Sequence, residues 1–269
     1  EMFNRMMEAS QGDAFDIEFL PNHNTVLNLV YAFARSQESA ERSESLVRRL
    51  YKWYEETRRP DLRPTLKLHA GLLRAHSRAG SLVYELLRIA DEAWEAYKRG
   101  DLAMDIVSLN GILHILASTK KKVAADAVAI VYEELLEEYR KGNVECQPNQ
   151  STFLAVISAL GKTRQVDRAE SVMQQMEDLY EETSDPSVRP NKACYGALVW
   201  AHVKMGGSSS KEKAEATLLR MSNYCELDAE SWNGVLASWA HSDEDDAAVR
   251  TATVMQWLEE EAKDDAASS

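Results

Sequence analysis

Glycine and proline are scarce in this chain, at 11 and 6 of 269 residues. Both residues interrupt regular elements, and most of the prolines stand where a repeated segment opens, so the scarcity fits an all-helical protein with short connections. Cysteine is scarcer still. Cys146, Cys194 and Cys225 are widely spaced and odd in number, which fits free thiols in a reducing compartment better than a disulfide or metal framework. No apolar run approaches the ~18 residues that a membrane-spanning helix needs. Positive charge is also in deficit, with 31 Lys and Arg against 44 Asp and Glu, a net charge of −13 and a pI near 5.0. A balance of that sign argues against generic, field-driven nucleic-acid binding, although a local basic stripe remains open.

Catalytic signatures are missing too. There is no H-E-x-x-H, no G-x-S-x-G and no deaminase-type H-x-E…C-x-x-C module. Six histidines (His23, His69, His76, His114, His202 and His241) are scattered without a Cys/His cluster. The run Gly206-Gly-Ser-Ser-Ser-Lys211 lacks phosphate-loop spacing and follows a helix where a strand is required. The acidic run Asp243-Glu-Asp-Asp246 reads as a solvated turn. The expectation is no enzyme, no metal and no cofactor.

What the chain does have is a segment that returns. Openings near 21, 64, 104, 148, 190 and 227 are separated by 37 to 44 residues, and a period of that size points to stacked helix pairs. The fold class expected is therefore all-α, a right-handed α-solenoid of about six helix-turn-helix repeats. Each unit begins with Pro-Asn or a hydrophobic-Asp pair, suited to a helix start. First helices are expected over 22–36, 65–79, 105–118, 149–162, 191–205 and 228–241. Phe153, Val156, Ile157 and Leu160 form one apolar stripe, repeated by Tyr195, Leu198, Val199 and His202 and by Trp232, Val235, Leu236 and Trp239. Second helices carry small residues and Met or Leu, as in Ala169, Val172, Met173 and Met176. Several end in acidic tails such as Glu177-Asp-Leu-Tyr-Glu-Glu182, which read as a solvated outer face. The segment Glu1–Glu8 parallels Val172–Glu177 and reads as the tail of a preceding repeat (1–12), so the chain is expected to be a piece of a longer protein. The polar end, 264–269, is expected to be disordered or truncated.

The unit Pro148-Asn149-x-x-Thr152-Phe153-x-x-Val156-Ile157-x-Ala-Leu-Gly-Lys162, followed by Arg168-Ala169-Glu170 and Met176, resembles the pentatricopeptide repeat family. The resemblance spans about 1–263, and is strongest over 148–182. It implies single-stranded RNA as partner, lying along a groove of first helices with about one base per repeat, and a role in organellar RNA processing, stability or translation in mitochondrion or chloroplast. The family's base-selecting pair falls on the fifth residue of the first helix and the residue before the next repeat. Carried over, only Asn110 with Asn149 is a standard combination; Asn233 holds the fifth position of the last repeat. Val107 alone matches the aliphatic wedge of the second position, where the other repeats offer Asn24, Lys67, Ser151, Ala193 and Glu230. Eight residues after each fifth position stand Arg35, Arg78, Ser118, Lys162, Lys204 and His241. The resemblance makes Arg35, Arg78, Lys162 and Lys204 phosphate contacts; cations at helix C-termini also complement the helix dipole without any ligand. A protein-binding scaffold using the same groove, with little RNA affinity, is the alternative. No membrane contact is expected.

Overall fold

The computed structural model describes residues 22–34, 39–227 and 229–240, together with 249, 252, 255 and 256. The expectations for 1–12, 264–269, Arg35 and His241 lie outside these residues. Among the described residues the protein is all-α, with 80% helix and no strand. The helices are α1 (His23–Phe33), α2 (Ser39–Thr57), α3 (Leu66–Arg78), α4 (Val83–Lys98), α5 (Ile106–Ser118), α6 (Lys122–Arg140), α7 (Gln150–Lys162), α8 (Val166–Thr183), α9 (Lys192–Met205), α10 (Ser208–Met221) and α11 (Ala229–Ala240). The six expected first helices are α1, α3, α5, α7, α9 and α11. Each lies within its expected span.

The reason for these starts is local. An N-cap side chain satisfies amides that a helix leaves orphaned in its first turn. Asn149 Oδ1 accepts the amides of Ser151 at 3.0 Å and Thr152 at 3.2 Å, while Thr152 Oγ1 accepts the Asn149 amide at 3.1 Å. Asn22 and Thr25 close the same reciprocal box on α1. Thr65, Asp105 and Asn191 cap α3, α5 and α9 through their side-chain oxygens. Short 3-10 turns at Pro60–Leu62, Val144–Cys146 and Pro186–Val188 lead into three of these caps, each burying one apolar side chain, Leu62, Cys146 or Val188.

The helices fall into two compact units. One gathers α1 to α5 with residues 137–147; the other holds residues 120–136 and α7 to α11. Within each unit neighbouring helices pack in pairs, and each first helix also packs on the next first helix. Those first helices run parallel. In the second unit Cys194 Sγ meets the Gln150 carbonyl oxygen near the helix starts, at 3.7 Å. Gly161 lies against Ala197 and Ala201 near the ends. In the first unit Gly71 faces Leu27, Val30 and Tyr31, and Arg78 Nη1 donates to the Ala34 carbonyl at 3.3 Å. The apolar stripes are core. Phe153, Val156, Ile157 and Leu160 are all at 0% exposure, each adding about 1.5–3 kcal/mol of burial. Tyr195, Leu198, Trp232, Val235 and Trp239 are buried likewise. All three cysteines are free thiols, Cys146 and Cys194 buried.

A longer period, three repeats long, is superimposed on the short one. Tyr54-Glu-Glu-Thr57-x-x-Pro60-x-x-Arg63-Pro64 returns as Tyr180-Glu-Glu-Thr183-x-x-Pro186-x-x-Arg189-Pro190, 126 residues later (180 − 54). The backbone follows. Arg58 and Ser184 both sit at φ 52, and Gly80 and Gly206 both at φ 74. Thr57 Oγ1 donates to the Trp53 carbonyl and Thr183 Oγ1 to the Leu179 carbonyl, each at 2.7 Å. The arginines after the 3-10 turns reach forward in the same manner, Arg63 to the Gly100 and Asp101 carbonyls and Arg189 to the Tyr224 carbonyl.

Buried polar pairs keep this register. His76 Nε2 lies 3.5 Å from Glu44 Oε2, and His202 Nε2 lies 3.0 Å from Glu170 Oε2. Each glutamate also takes an arginine from the second helix that follows, Arg88 at 2.9 Å in one unit and Arg220 at 2.7 Å in the other. Two turns along, Tyr51 pairs with His69 at 3.0 Å, while Tyr195 donates to Glu177.

Candidate nucleic-acid interface

Charge is sorted by helix. Helices α1, α3, α5, α7 and α9 contain no Asp or Glu at all. Their partners do, for example Glu133, Glu134, Glu137 and Glu138 on α6 and Glu177, Asp178, Glu181 and Glu182 on α8. Many cations of the second helices are held by those carboxylates. Arg88 bridges Glu44, Glu85 and Glu92, and Arg168 bridges Asp126 and Glu133. First-helix cations face no acid on their own element.

The largest concentration is on α3. Lys67, Arg74 and Arg78 are all exposed, and spacings of seven and four place them on one helical face. Neither Lys67 nor Arg74 has an ion-pair partner among the described residues. Arg78 was expected as a phosphate contact and is exposed, with one guanidinium nitrogen docked on the end of α1. Its neighbour Arg74 was not singled out by the sequence reading, and Lys67 was noted only as a departure at the wedge position. The i, i+7, i+11 spacing is the signal that finds the set.

In the second unit Lys162 and Lys204 are exposed and end the adjacent parallel helices α7 and α9. Lys204 Nζ sits 5.5 Å from the Trp200 ring centroid, and Trp200 itself is 46% exposed. The structure thus brings Lys162 and Lys204 to one end of a helix pair. Arg78 belongs to the other unit.

The base-reading residues fare differently. Val107 is 74% exposed on α5 and Asn233 is exposed on α11. Asn110, however, is only 4% exposed, so its amide offers no edge to a base as placed. Asn149 spends its carbonyl oxygen on the start of α7. Of the residues at the second selecting position, just before each next repeat, Thr65, Asp105, Asn149 and Asn191 are N-caps; Asp228, the fifth, lies outside the described residues. Helix initiation accounts for those residue types without any ligand.

Among the described residues, no group of three His, Cys, Asp or Glu gathers to hold a metal ion, and no helix is long and apolar enough to cross a membrane. Of the two histidines on apolar stripes, His202 is buried against Glu170 and His114 is half-buried. No family model matches this chain, and comparison with curated proteins gives no match.

Proposed function

We propose that this chain binds single-stranded RNA through the exposed faces of its first helices, gripping phosphates rather than reading bases by the two-residue code. The observation that carries the reading is the absence of carboxylates from α1, α3, α5, α7 and α9 in a protein of net charge −13. The regular openings, the parallel stacking of first helices in each unit and the resemblance of 148–182 support a pentatricopeptide-type array. The right-handed superhelix of six pairs is part of this proposal, as is a role in organellar RNA processing, stability or translation. Phosphate contacts come from Lys67, Arg74 and Arg78 on α3 and from Lys162 and Lys204. A protein-binding scaffold is the second reading, favoured by the burial of Asn110 and the capping duty of Asn149.

Filter binding of the chain with mixed 20-mer RNA at two salt concentrations separates the two. Lys67→Glu/Arg74→Glu/Arg78→Glu is expected to abolish retention at low salt. Removing three phosphate contacts from a single strand should flatten the log–log salt dependence by about 2. Unchanged affinity in that variant rejects the α3 face, and no retention of the parent protein favours the scaffold.

A further inference from the structure

Trp200 is a large aromatic ring left 46% exposed on a helix whose other aromatic, Tyr195, is fully buried. It faces away from the apolar stripe of α9, four residues after Gly196 and four before Lys204. Side chains on a helix lean toward its N-terminus, which directs the indole toward the turn that contains Gly196. That glycine is exposed, and a Cβ built there would meet nothing within 4 Å. On its C-terminal side the ring carries the Lys204 ammonium at 5.5 Å. A flat apolar ring thus stands beside a side-chain-free step, with a cation over one face and the other left for a ligand. Lys162, at the end of the adjacent helix α7, adds a second positive group at that end, and neither helix bears an acid.

We propose that Trp200 is a stacking platform for a nucleobase of single-stranded RNA, seated over Gly196, with Lys204 and Lys162 holding the flanking phosphates. A base presents a π-face whatever its identity, so the contact is tolerant of sequence. It needs neither the buried Asn110 nor the capping Asn149. The proposal rests on the RNA reading above and adds a site to it. Charge decides between occupants: two carboxylate-free helices with lysines at their ends suit a polyanion with stackable groups better than an apolar peptide.

The test uses the full chain, a mixed 20-mer single-stranded RNA, and inorganic polyphosphate as a polyanion without bases. Trp200→Ala is expected to weaken RNA binding about 5- to 150-fold, equivalent to ~1–3 kcal/mol at ~1.4 kcal/mol per decade, and to leave polyphosphate binding unchanged. Trp200→Tyr should restore most of the RNA affinity. Gly196→Leu keeps the indole but fills the step, and should weaken RNA alone; circular dichroism checks that all three variants remain helical. Equal RNA affinity in Trp200→Ala overturns the platform, and so does a matching loss for RNA and polyphosphate. A parent chain that binds no RNA overturns the reading beneath it as well, whereas a neutral Trp200→Ala in an RNA-binding parent overturns the platform alone.

Discussion

The second pair of positions in the buried polar cluster, Tyr51/His69 in one unit and Glu177/Tyr195 in the other, has exchanged donor and acceptor while the backbone has not moved out of register. In the first unit the tyrosine is on the second helix. His69 Nδ1 lies 3.1 Å from the Thr65 carbonyl, so that nitrogen is the donor, and Nε2 accepts the Tyr51 hydroxyl. Both partners are neutral. In the second unit the tyrosine is on the first helix and donates to Glu177, which is 3% exposed. Burial raises that carboxyl's pKa above its usual range. A buried carboxylate is costly unless it is paired, and here Arg220 Nε comes within 2.9 Å. The contrast teaches that the scaffold fixes where a polar pair sits, whereas its charge follows from the residues that fill the positions, with burial pushing Glu177 toward its neutral form while Tyr195 and Arg220 pull the other way.

The largest test of that contrast removes the arginines. Arg220→Met should cost about 2–3 kcal/mol, because Glu177 is left enclosed without a cation. Arg88→Met should cost no more than about 1 kcal/mol, since Glu85 and Glu92 are roughly half-exposed and regain water, and the more enclosed Glu44 keeps Arg48 at 2.7 Å. Urea denaturation measures both, and equal losses would mean that the two clusters are energetically alike.

Helix spacing provides a second, smaller difference. A Cβ on Gly161 would come within 2.7 Å of the Ala201 Cβ, whereas one on Gly71 meets the tips of Tyr31 and Val30 at 3.3 Å and of Leu27 at 3.6 Å. Gly161→Ala is expected to destabilise by about 1–2 kcal/mol even after its helix-propensity gain. Gly71→Ala should fall within about 0.5 kcal/mol of neutral, so similar melting shifts would show that the two approaches are equally close.

Acidity gives the smallest effect, and opposite causes act in the two units. Burial holds the pKa values of His69 and His76 below the ordinary histidine range, so both are kept neutral in the folded protein. Glu44 and Glu85 face His76 and oppose that trend, while Arg88 reinforces it. The unfolded chain takes up protons first, so stability is full above the unfolded value near 6.5 and declines as pH falls through it. We expect a loss of about 1 kcal/mol between pH 7 and pH 5.5, within the bound of ~1.4 kcal/mol per pH unit for each proton. His69→Gln/His76→Gln should flatten the profile, and a slope unchanged in that variant would locate the sensitivity elsewhere. In the second unit the His202 hydrogen bond, with Arg220, holds Glu170 below the usual carboxylate range. Its contribution is present above the unfolded carboxylate value and is lost only as pH falls below it, while Glu177 works in the other direction.

Helix starts were legible because capping chemistry is local. Asn149, Asn191, Thr65 and Asp105 announce themselves within four residues of the turn they close. The apolar stripes were legible for the same reason. Burial of Asn110 was not, because the residue sits one turn from exposed Val107 on the same helix and only tertiary packing separates them. Trp200 stands off the stripe of Tyr195, Leu198, Val199 and His202, so periodicity alone put it outside the core, but its contact with Lys204 needed the side chains placed. The 126-residue register is overlaid in the sequence by the shorter period, and Glu44, His76, Glu170 and His202 form a pattern only where their side chains meet.

On α4 and α8 acids outnumber cations, while α3 and α7 packed beside them carry cations and no acid, which gives each of these two pairs a dipole moment running from its second helix to its first. An approaching chain of negative charge exerts a torque on such an object before it makes any contact. Encounters would therefore arrive already turned, with the lysine- and arginine-bearing side leading. A net negative protein can in this way favour productive collisions with a polyanion, and dissolved salt would blunt the steering first and the grip second.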